Sequence, residues 1–310
     1  MKIDHTQRAA WQNCQRLYFL RHLLGIRKAT ADSPGFSFGS AFHATTETVD
    51  FTNDIDLAMN QFTDMFNFPD DKVRTLTRAR ELLGKYAKFI KQKGWEFKAQ
   101  PDNSMELMFV VDMDQDVEYC GKVDRLLLTG DIAEYKTTYY LYNSGGNPLP
   151  YLQRWWGHNS IRGYAWAVEK LTGEKVNKCH LVGVGVYPQK PKTGEPYSCI
   201  ETIPIPVLEW EKKQVVREVT KIATEIMDMA KAYNLSINSN FQENINNAFE
   251  NSLHKYFFCN TSHCYYFNNP CQFVDLCTRD MPRGLLENNY MIDPFLPWEN
   301  EALSKDGGEE

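Results

Sequence analysis

The sequence contains no apolar run long enough to span a bilayer, so hydropathy gives no sign of a helical membrane protein. Met1 to Gln12 show no apolar core of the kind a secretory leader carries. Positive charge is not in surplus either: 34 Lys and Arg stand against 40 Asp and Glu. The resulting net charge of −6 argues against indiscriminate adhesion to nucleic acid. No segment repeats at a fixed period, which speaks against solenoid and propeller arrays. The lack of a signal core and of a membrane span makes the cytoplasm the expected location, where its eight cysteines are expected as thiols or metal ligands rather than disulfides. With 310 residues, 43% of them hydrophobic, the chain can bury one large core, alone or with a helical annex.

The chemistry is concentrated in Gly121-Lys122-Val123-Asp124-Arg125 and, after a short turn, Glu134-Tyr135-Lys136-Thr137-Thr138. Val123 and Leu126 to Leu128 precede Thr129-Gly130-Asp131, which has strong turn character, and Ile132 and Ala133 resume the apolar run. A hairpin turning near Thr129-Gly130 sets Asp124 across from Glu134, give or take one residue. Side chains alternate along a strand, so Glu134 and Lys136 share a face. Two carboxylates and an ammonium then converge, and such carboxylate pairs bind Mg²⁺ or Mn²⁺ in phosphoryl chemistry. Two other stretches carry acid and lysine in similar order but read differently. Glu211-Lys212-Lys213 lies in a long helical pattern, and Pro69-Asp70-Asp71-Lys72 reads as a helix start. A solvated hairpin with an ordinary ion pair is the bland reading of the hairpin itself.

Further strings add weight. Cys14-Gln15-Arg16-Leu17-Tyr18-Phe19-Leu20 is followed by Phe38-Gly39-Ser40-Ala41-Phe42-His43, with Glu47 one helical turn later. With the hairpin, these resemble the PD-(D/E)XK nuclease superfamily, and within it the RecB-like branch. There a glycine precedes the aspartate, a Glu/Asp-Tyr-Lys-Thr string follows, and Cys-x-Arg-x-Tyr and Gly-Ser/Thr-x-x-His helices open the chain. The resemblance implies an α/β fold: a mixed central β-sheet flanked by helices, a restriction-endonuclease-like core. It implies that Asp124, Glu134, His43 and the Tyr135 carbonyl hold Mg²⁺ or Mn²⁺. Lys136 then orients the attacking water or stabilises the transition state, for in-line hydrolysis of a DNA phosphodiester. Tyr164 matches the tyrosine of the family's Gln-x-x-x-Tyr helix, which the resemblance counts as catalytic with Asp124, Glu134 and Lys136, but Ser160 stands where glutamine is expected. Gln153 and Asn159 are possible substitutes, and Tyr164 can equally be a core aromatic.

Cys259, Cys264, Cys271 and Cys277 fall within nineteen residues, among aromatics and an Asn-Asn-Pro turn. Zinc usually takes paired knuckles, and only Cys259 and Cys264 approach that spacing. An iron–sulfur cluster accommodates wider spacing and needs four thiolates. In iron–sulfur RecB-like nucleases one cysteine comes from the N-terminal helix and three from the C-terminal segment. By that resemblance a [4Fe-4S] cluster falls to Cys14, Cys264, Cys271 and Cys277, with Cys259 as a substitute for Cys264 and zinc as the alternative occupant. Cys120, Cys179 and Cys199 sit among apolar strand residues and are expected as inert core thiols.

The organisation expected is a single nuclease domain over 1–298. A helical part occupies about 1–98, the core about 99–206, and C-terminal helices with the cysteine-rich segment about 207–298. An acidic, disordered tail covers 299–310. Helices are predicted at 4–24, 37–51, 54–67, 72–93, 153–171, 209–233 and 244–258, and strands near 104–112, 117–128, 131–139, 176–187 and 197–205. A loop spans Asn143 to Pro148. From Lys72 to Lys98 nine Lys and Arg face two Glu, and Arg74, Arg78, Lys85 and Lys88 share one helical face. That is a solvated face or, beside a phosphodiesterase site, a track for the DNA backbone. The function expected is a metal-dependent exonuclease on single-stranded or end-opened DNA, similar to CRISPR-associated RecB-like exonucleases, in the cytoplasm or a phage host's cytoplasm. The alternatives are an inactive nuclease-fold DNA-binding subunit stapled by the cluster or zinc, and a metal-stapled interaction protein without a nucleic-acid role.

Overall fold

The computed structural model describes residues 1–29, 33–68, 70–100, 104–113, 116–138, 141, 149–187, 197–266 and 269–296. The predicted loop at 143–148 and tail at 299–310 lie outside them. The chain folds into two compact units, one from residues 1–31, 109–121 and 213–310, the other from 32–108 and 122–212. Elements begin with β1 (Lys2–Ile3), α1 (His5–Asn13), α2 (Gln15–Tyr18), a π-helical turn over Phe19–Leu23, and β2 (Ile26–Lys28). Then come α3 (Pro34–Thr52), α4 (Ile55–Met65), α5 (Leu76–Lys93), β3 (Leu107–Asp112), β4 (Glu118–Val123), β5 (Arg125–Leu126) and β6 (Ile132–Thr138). They continue as α6 (Leu149–Gln153), α7 (Asn159–Thr172), β7 (Lys178–Tyr187), β8 (Tyr197–Pro206), α8 (Glu209–Ala232) and α9 (Phe241–Glu250). Last are β9 (Tyr265–Tyr266), β10 (Asn269–Pro270), α10 (Val274–Thr278), α11 (Arg283–Asn289) and β11 (Tyr290–Ile292). Among the described residues no helix is long and apolar enough to cross a membrane.

In the first unit α1 starts from a reciprocal cap. The Asp4 carboxylate accepts from the Gln7 amide at 2.7 Å, and Gln7 Oε1 accepts from the Asp4 amide at 3.2 Å. The single helix predicted over 4–24 is interrupted at Cys14, which is extended at φ −164°, ψ 109°. A tertiary contact drives the break: the Arg16 amide donates to the Phe258 carbonyl at 3.0 Å instead of to its own helix. β1 runs parallel to β4, and β11 pairs antiparallel with β2. Gly25 sits at φ +64° with the Phe241 ring 2.7 Å from where a Cβ would stand, so a larger residue meets both strain and a clash.

The second unit carries a four-stranded sheet in the order β5-β6-β7-β8. β5–β6 and β7–β8 are antiparallel, and β6–β7 is parallel. This mixed sheet, flanked by helices, is the fold the sequence resemblance implied. α3 begins at Ser33, whose hydroxyl accepts from the Phe36 amide, with Pro34 at the first helical position, and it ends at left-handed Asn53. Phe38, Phe42, Phe62, Leu82 and Tyr86 from α3, α4 and α5 pack against Tyr135, Val182 and Val184 of the sheet. The helix predicted at 153–171 starts late: α6 ends at Gln153, and α7 begins at Asn159, after extended His158. Gly157 precedes that residue and disfavours a continuous helix.

Candidate active site

The turn that builds the site is local. Gly130 takes φ +84°, and its amide donates to the Leu127 carbonyl at 2.9 Å, while the Leu127 amide donates to Asp131 at 2.9 Å. Arg125 pairs with Ala133 and Leu126 with Ile132, so one step along the register Asp124 stands opposite Glu134, as predicted. Both carboxylates are buried. Asp124 Oδ2 accepts from the Tyr135 amide at 2.7 Å, and Oδ1 lies 3.5 Å from His43 Nδ1. Lys136 Nζ donates to Glu134 Oε1 at 2.5 Å. The other Glu134 oxygen, Oε2, is buried without a hydrogen-bond partner among the described residues.

His43 reaches Asp124 because α3 lies hard against β6. A Cβ on Gly39 would stand 2.8 Å from Thr137 Oγ1, so only glycine allows this approach. A cleft of about 480 Å³ opens here, bordered by Phe36, Gly39, His43, Asp124, Tyr135 and Lys136. The Tyr135 side chain is turned into the core, hydrogen-bonded to the Tyr86 hydroxyl at 3.0 Å, so only its backbone is available to a ligand.

Burial pushes the Glu134 carboxyl up to about 7, and the neighbouring Asp124 charge adds to the rise. Burial acts the same way on Asp124, but His43, Lys136 and the Tyr135 amide outweigh it and hold this carboxyl below the usual range. Lys136 is desolvated too, yet the Glu134 and Asp124 carboxylates keep its ammonium charged well above the ordinary value. An orphaned buried oxygen and two like charges forced together are the electrostatic conditions a hard cation relieves. The donor set of two carboxylates, an imidazole and a backbone carbonyl fits Mg²⁺ or Mn²⁺. As the side chains stand, no three His, Cys, Asp or Glu among the described residues are gathered closely enough to hold a metal ion.

Several supporting residues carried no functional role in the sequence reading. Arg125, 1% exposed, donates to Asp50 Oδ2 at 2.7 Å, to the Asp124 carbonyl at 2.6 Å and to Thr46 Oγ1 at 3.1 Å. Tyr86 closes the network onto Asp50 at 2.8 Å. Arg125 therefore fixes the backbone that carries Asp124. Its signal was its place beside Asp124, but a charged residue next to a turn usually reads as solvated. Trp155 lies under Lys136, the ammonium 5.1 Å from the ring centre.

The remaining predicted residues are placed as follows. Tyr164 is buried on α7 and is not among the residues bordering the cleft. Ser160 is buried, its hydroxyl 2.6 Å from His158 Nδ1. Arg78 corrects the expected basic exposed face: it is buried, and its guanidinium donates to the Val73 carbonyl at 2.7 Å, closing the loop before α5. Lys85 pairs with Glu81 at 2.5 Å and donates to the Ser198 carbonyl, while Lys88 is exposed. Arg74 packs on Gly35 at the edge of the cleft. The two look-alike strings serve structure. Lys212 bridges Glu169 and Glu209, Glu211 holds Arg162, and Asp71 caps the Val73 and Arg74 amides.

In the first unit Cys14, Cys259, Cys264, Cys271 and Cys277 border one small pocket, and none forms a disulfide. Burial raises the thiols of Cys259, Cys271 and Cys277, the last to about 12, and Cys14 adds to the rise in all three. Cys120, Cys179 and Cys199 are buried core thiols, as expected.

No curated protein matches this sequence closely enough to count as a relative. A family description does match, over residues 5–278, a span that includes both halves of the hairpin, the His43 helix and all five clustered cysteines. The chain belongs to the PD-(D/E)XK nuclease superfamily.

Proposed function

We propose that this protein is a metal-dependent deoxyribonuclease of the RecB-like branch, an exonuclease acting on single-stranded or end-opened DNA. One observation carries the reading: Glu134 Oε2 is buried without a hydrogen-bond partner among the described residues, beside Asp124 and Lys136, an arrangement a divalent cation would complete. Asp124, Glu134, His43 and the Tyr135 carbonyl would hold Mg²⁺ or Mn²⁺. When bound there, such an ion lowers the pKa of a water and polarises the scissile phosphate. Lys136, held by Glu134 and Trp155, presents its ammonium to the attacking water or to charge growing on the phosphoryl oxygens. Asp124 and the Tyr135 amide hold each other in register, and the remaining donors would have to draw in around the ion as it binds. Tyr164, buried and absent from the cleft's border, is not assigned a step. Arg74, in the turn before α5, and Lys85 and Lys88 on α5 are the residues proposed to meet the DNA backbone, with Arg78 tying that turn to the helix.

A [4Fe-4S] cluster on Cys14, Cys264, Cys271 and Cys277 is part of the proposal, with zinc as the alternative occupant. What supports it is that five thiols border one pocket, although as they stand no three are gathered closely enough to hold a metal ion, and Cys14 acts electrostatically on Cys259, Cys271 and Cys277, which keeps Cys259 a candidate in place of Cys264. We treat 1–298 as one nuclease domain with a tail at 299–310. The protein is proposed to work in the cytoplasm, its host's if phage-encoded. The alternative, a non-cleaving nuclease-fold subunit, is favoured by Ser160, which is too short for the glutamine's role and is engaged with His158.

The test is incubation of end-labelled single- and double-stranded DNA with Mg²⁺ or Mn²⁺. Wild-type protein should release nucleotides from free ends, and Lys136→Ala should lose about 10²- to 10³-fold in rate while retaining DNA binding. Wild-type rates in Lys136→Ala, Asp124→Ala and Glu134→Ala would refute the assignment.

A further inference from the structure

The cleft is also bordered by a side chain for which the hydrolytic chemistry has no use. Phe36, in the first turn of α3, is 72% exposed, more than any other large apolar side chain among the described residues. Met65, 40% exposed, borders the same cleft. Next to Phe36, the Arg74 guanidinium lies so close to Gly35 that a Cβ there would stand 2.9 Å from Nη2. The border of the cleft therefore offers an exposed aromatic side chain with a guanidinium against the neighbouring Gly35, and Asp124 and Lys136 border the same cleft.

We propose that Phe36 is the stacking platform of a nucleotide subsite that takes one unpaired nucleobase of a DNA strand entering the cleft, with Arg74 beside it for the phosphodiester backbone. This deepens the nuclease reading and rests on it. Every base has a π-face, so an aromatic platform binds without regard to sequence. A base inside a duplex already spends both faces on its neighbours. Only an unpaired or frayed base can offer one to Phe36. A platform at the mouth of the cleft thus selects single strands and opened ends, while the guanidinium supplies backbone attraction common to all sequences.

The test measures binding without cleavage, so it fails separately from the nuclease reading. Fluorescence anisotropy in the presence of chelator compares oligothymidylate with an abasic oligomer of equal length and charge. Wild-type protein should prefer the base-bearing strand by about tenfold, within the range expected for one stacked base. Phe36→Ala should bring that ratio close to one, and Phe36→Trp should restore it. Arg74→Ala should weaken both ligands alike and leave the ratio in place. An unchanged ratio in Phe36→Ala overturns the proposal, as does a wild-type protein that does not distinguish the two strands or binds neither. A change in oligomeric state in Phe36→Ala, with the ratio intact, would assign the ring to self-association instead. Loss of cleavage in Lys136→Ala with the base preference retained would leave both readings standing.

Discussion

Arg125 is the residue on which the site's geometry depends most. It is fully buried, and its three hydrogen bonds reach an acid, a backbone carbonyl and a hydroxyl. Asp50 shows the cost of the arrangement: burial raises its carboxyl to about 6, although Arg125 and Tyr86 pull the other way. Removing the guanidinium leaves that carboxyl without its counter-charge in a desolvated place. Arg125→Ala should therefore lose about 3–5 kcal/mol in a urea titration. Arg125→Lys should recover part of this while still slowing cleavage, because an ammonium cannot serve the Asp50 carboxylate and the Asp124 carbonyl in one planar fork. Equal stability of wild type and Arg125→Ala would remove the residue from this supporting role.

At the scale of elements, α5 shows how a helix can be assigned correctly and its surface incorrectly. Its cap at Thr75 and its stop at left-handed Gly94 are ordinary, and Ala79, Leu82, Leu83 and Tyr86 form its buried face. Arg78 belongs to the buried side all the same, because the loop before the helix leaves the Val73 carbonyl within its reach. Arg78→Ala should cost about 1–3 kcal/mol by orphaning that carbonyl and leave the salt dependence of DNA binding unchanged. Lys88→Ala should do the reverse, with little effect on stability and a salt slope lower by about one. A changed slope in Arg78→Ala would return that residue to the DNA-binding face.

For the molecule as a whole, two features predict bulk behaviour. Asp4 caps α1 from a buried position that raises its carboxyl to about 6, burial outweighing the Gln7 and Thr6 hydrogen bonds. Its folded value lies above the unfolded 3.8, so its contribution is fully present below about pH 4 and is lost as the pH rises through 6. The whole shift is worth about 3 kcal/mol. Asp4→Asn, which keeps the cap, should flatten that slope in melting curves taken between pH 4 and 7. The cysteine pocket supplies the second test. Anaerobically purified protein should be brown with about four irons per chain, and Cys14→Ser should lose the colour as completely as Cys277→Ser. Stoichiometric zinc in colourless protein would assign the pocket to the alternative metal, and full iron in Cys14→Ser would remove Cys14 from the site.

The sequence alone determined what depends on neighbours along the chain. The turn at Gly130 sets the hairpin register, the register sets Asp124 against Glu134, and strand alternation puts Lys136 on the same face. Apolar periodicity located α3, α5 and α8 for the same reason, to within a few residues at their ends. The tertiary structure decided where distant groups compete for one partner. Phe258 takes the Arg16 amide and breaks the first helix at Cys14, Val73 draws Arg78 inward, and Asp50 fixes Arg125 beneath the site. Each of these choices exchanges water for a specific buried partner. Local sequence records the propensity of each residue but not which remote atom will satisfy it, so burial and hydrogen bonding across the fold made the selection.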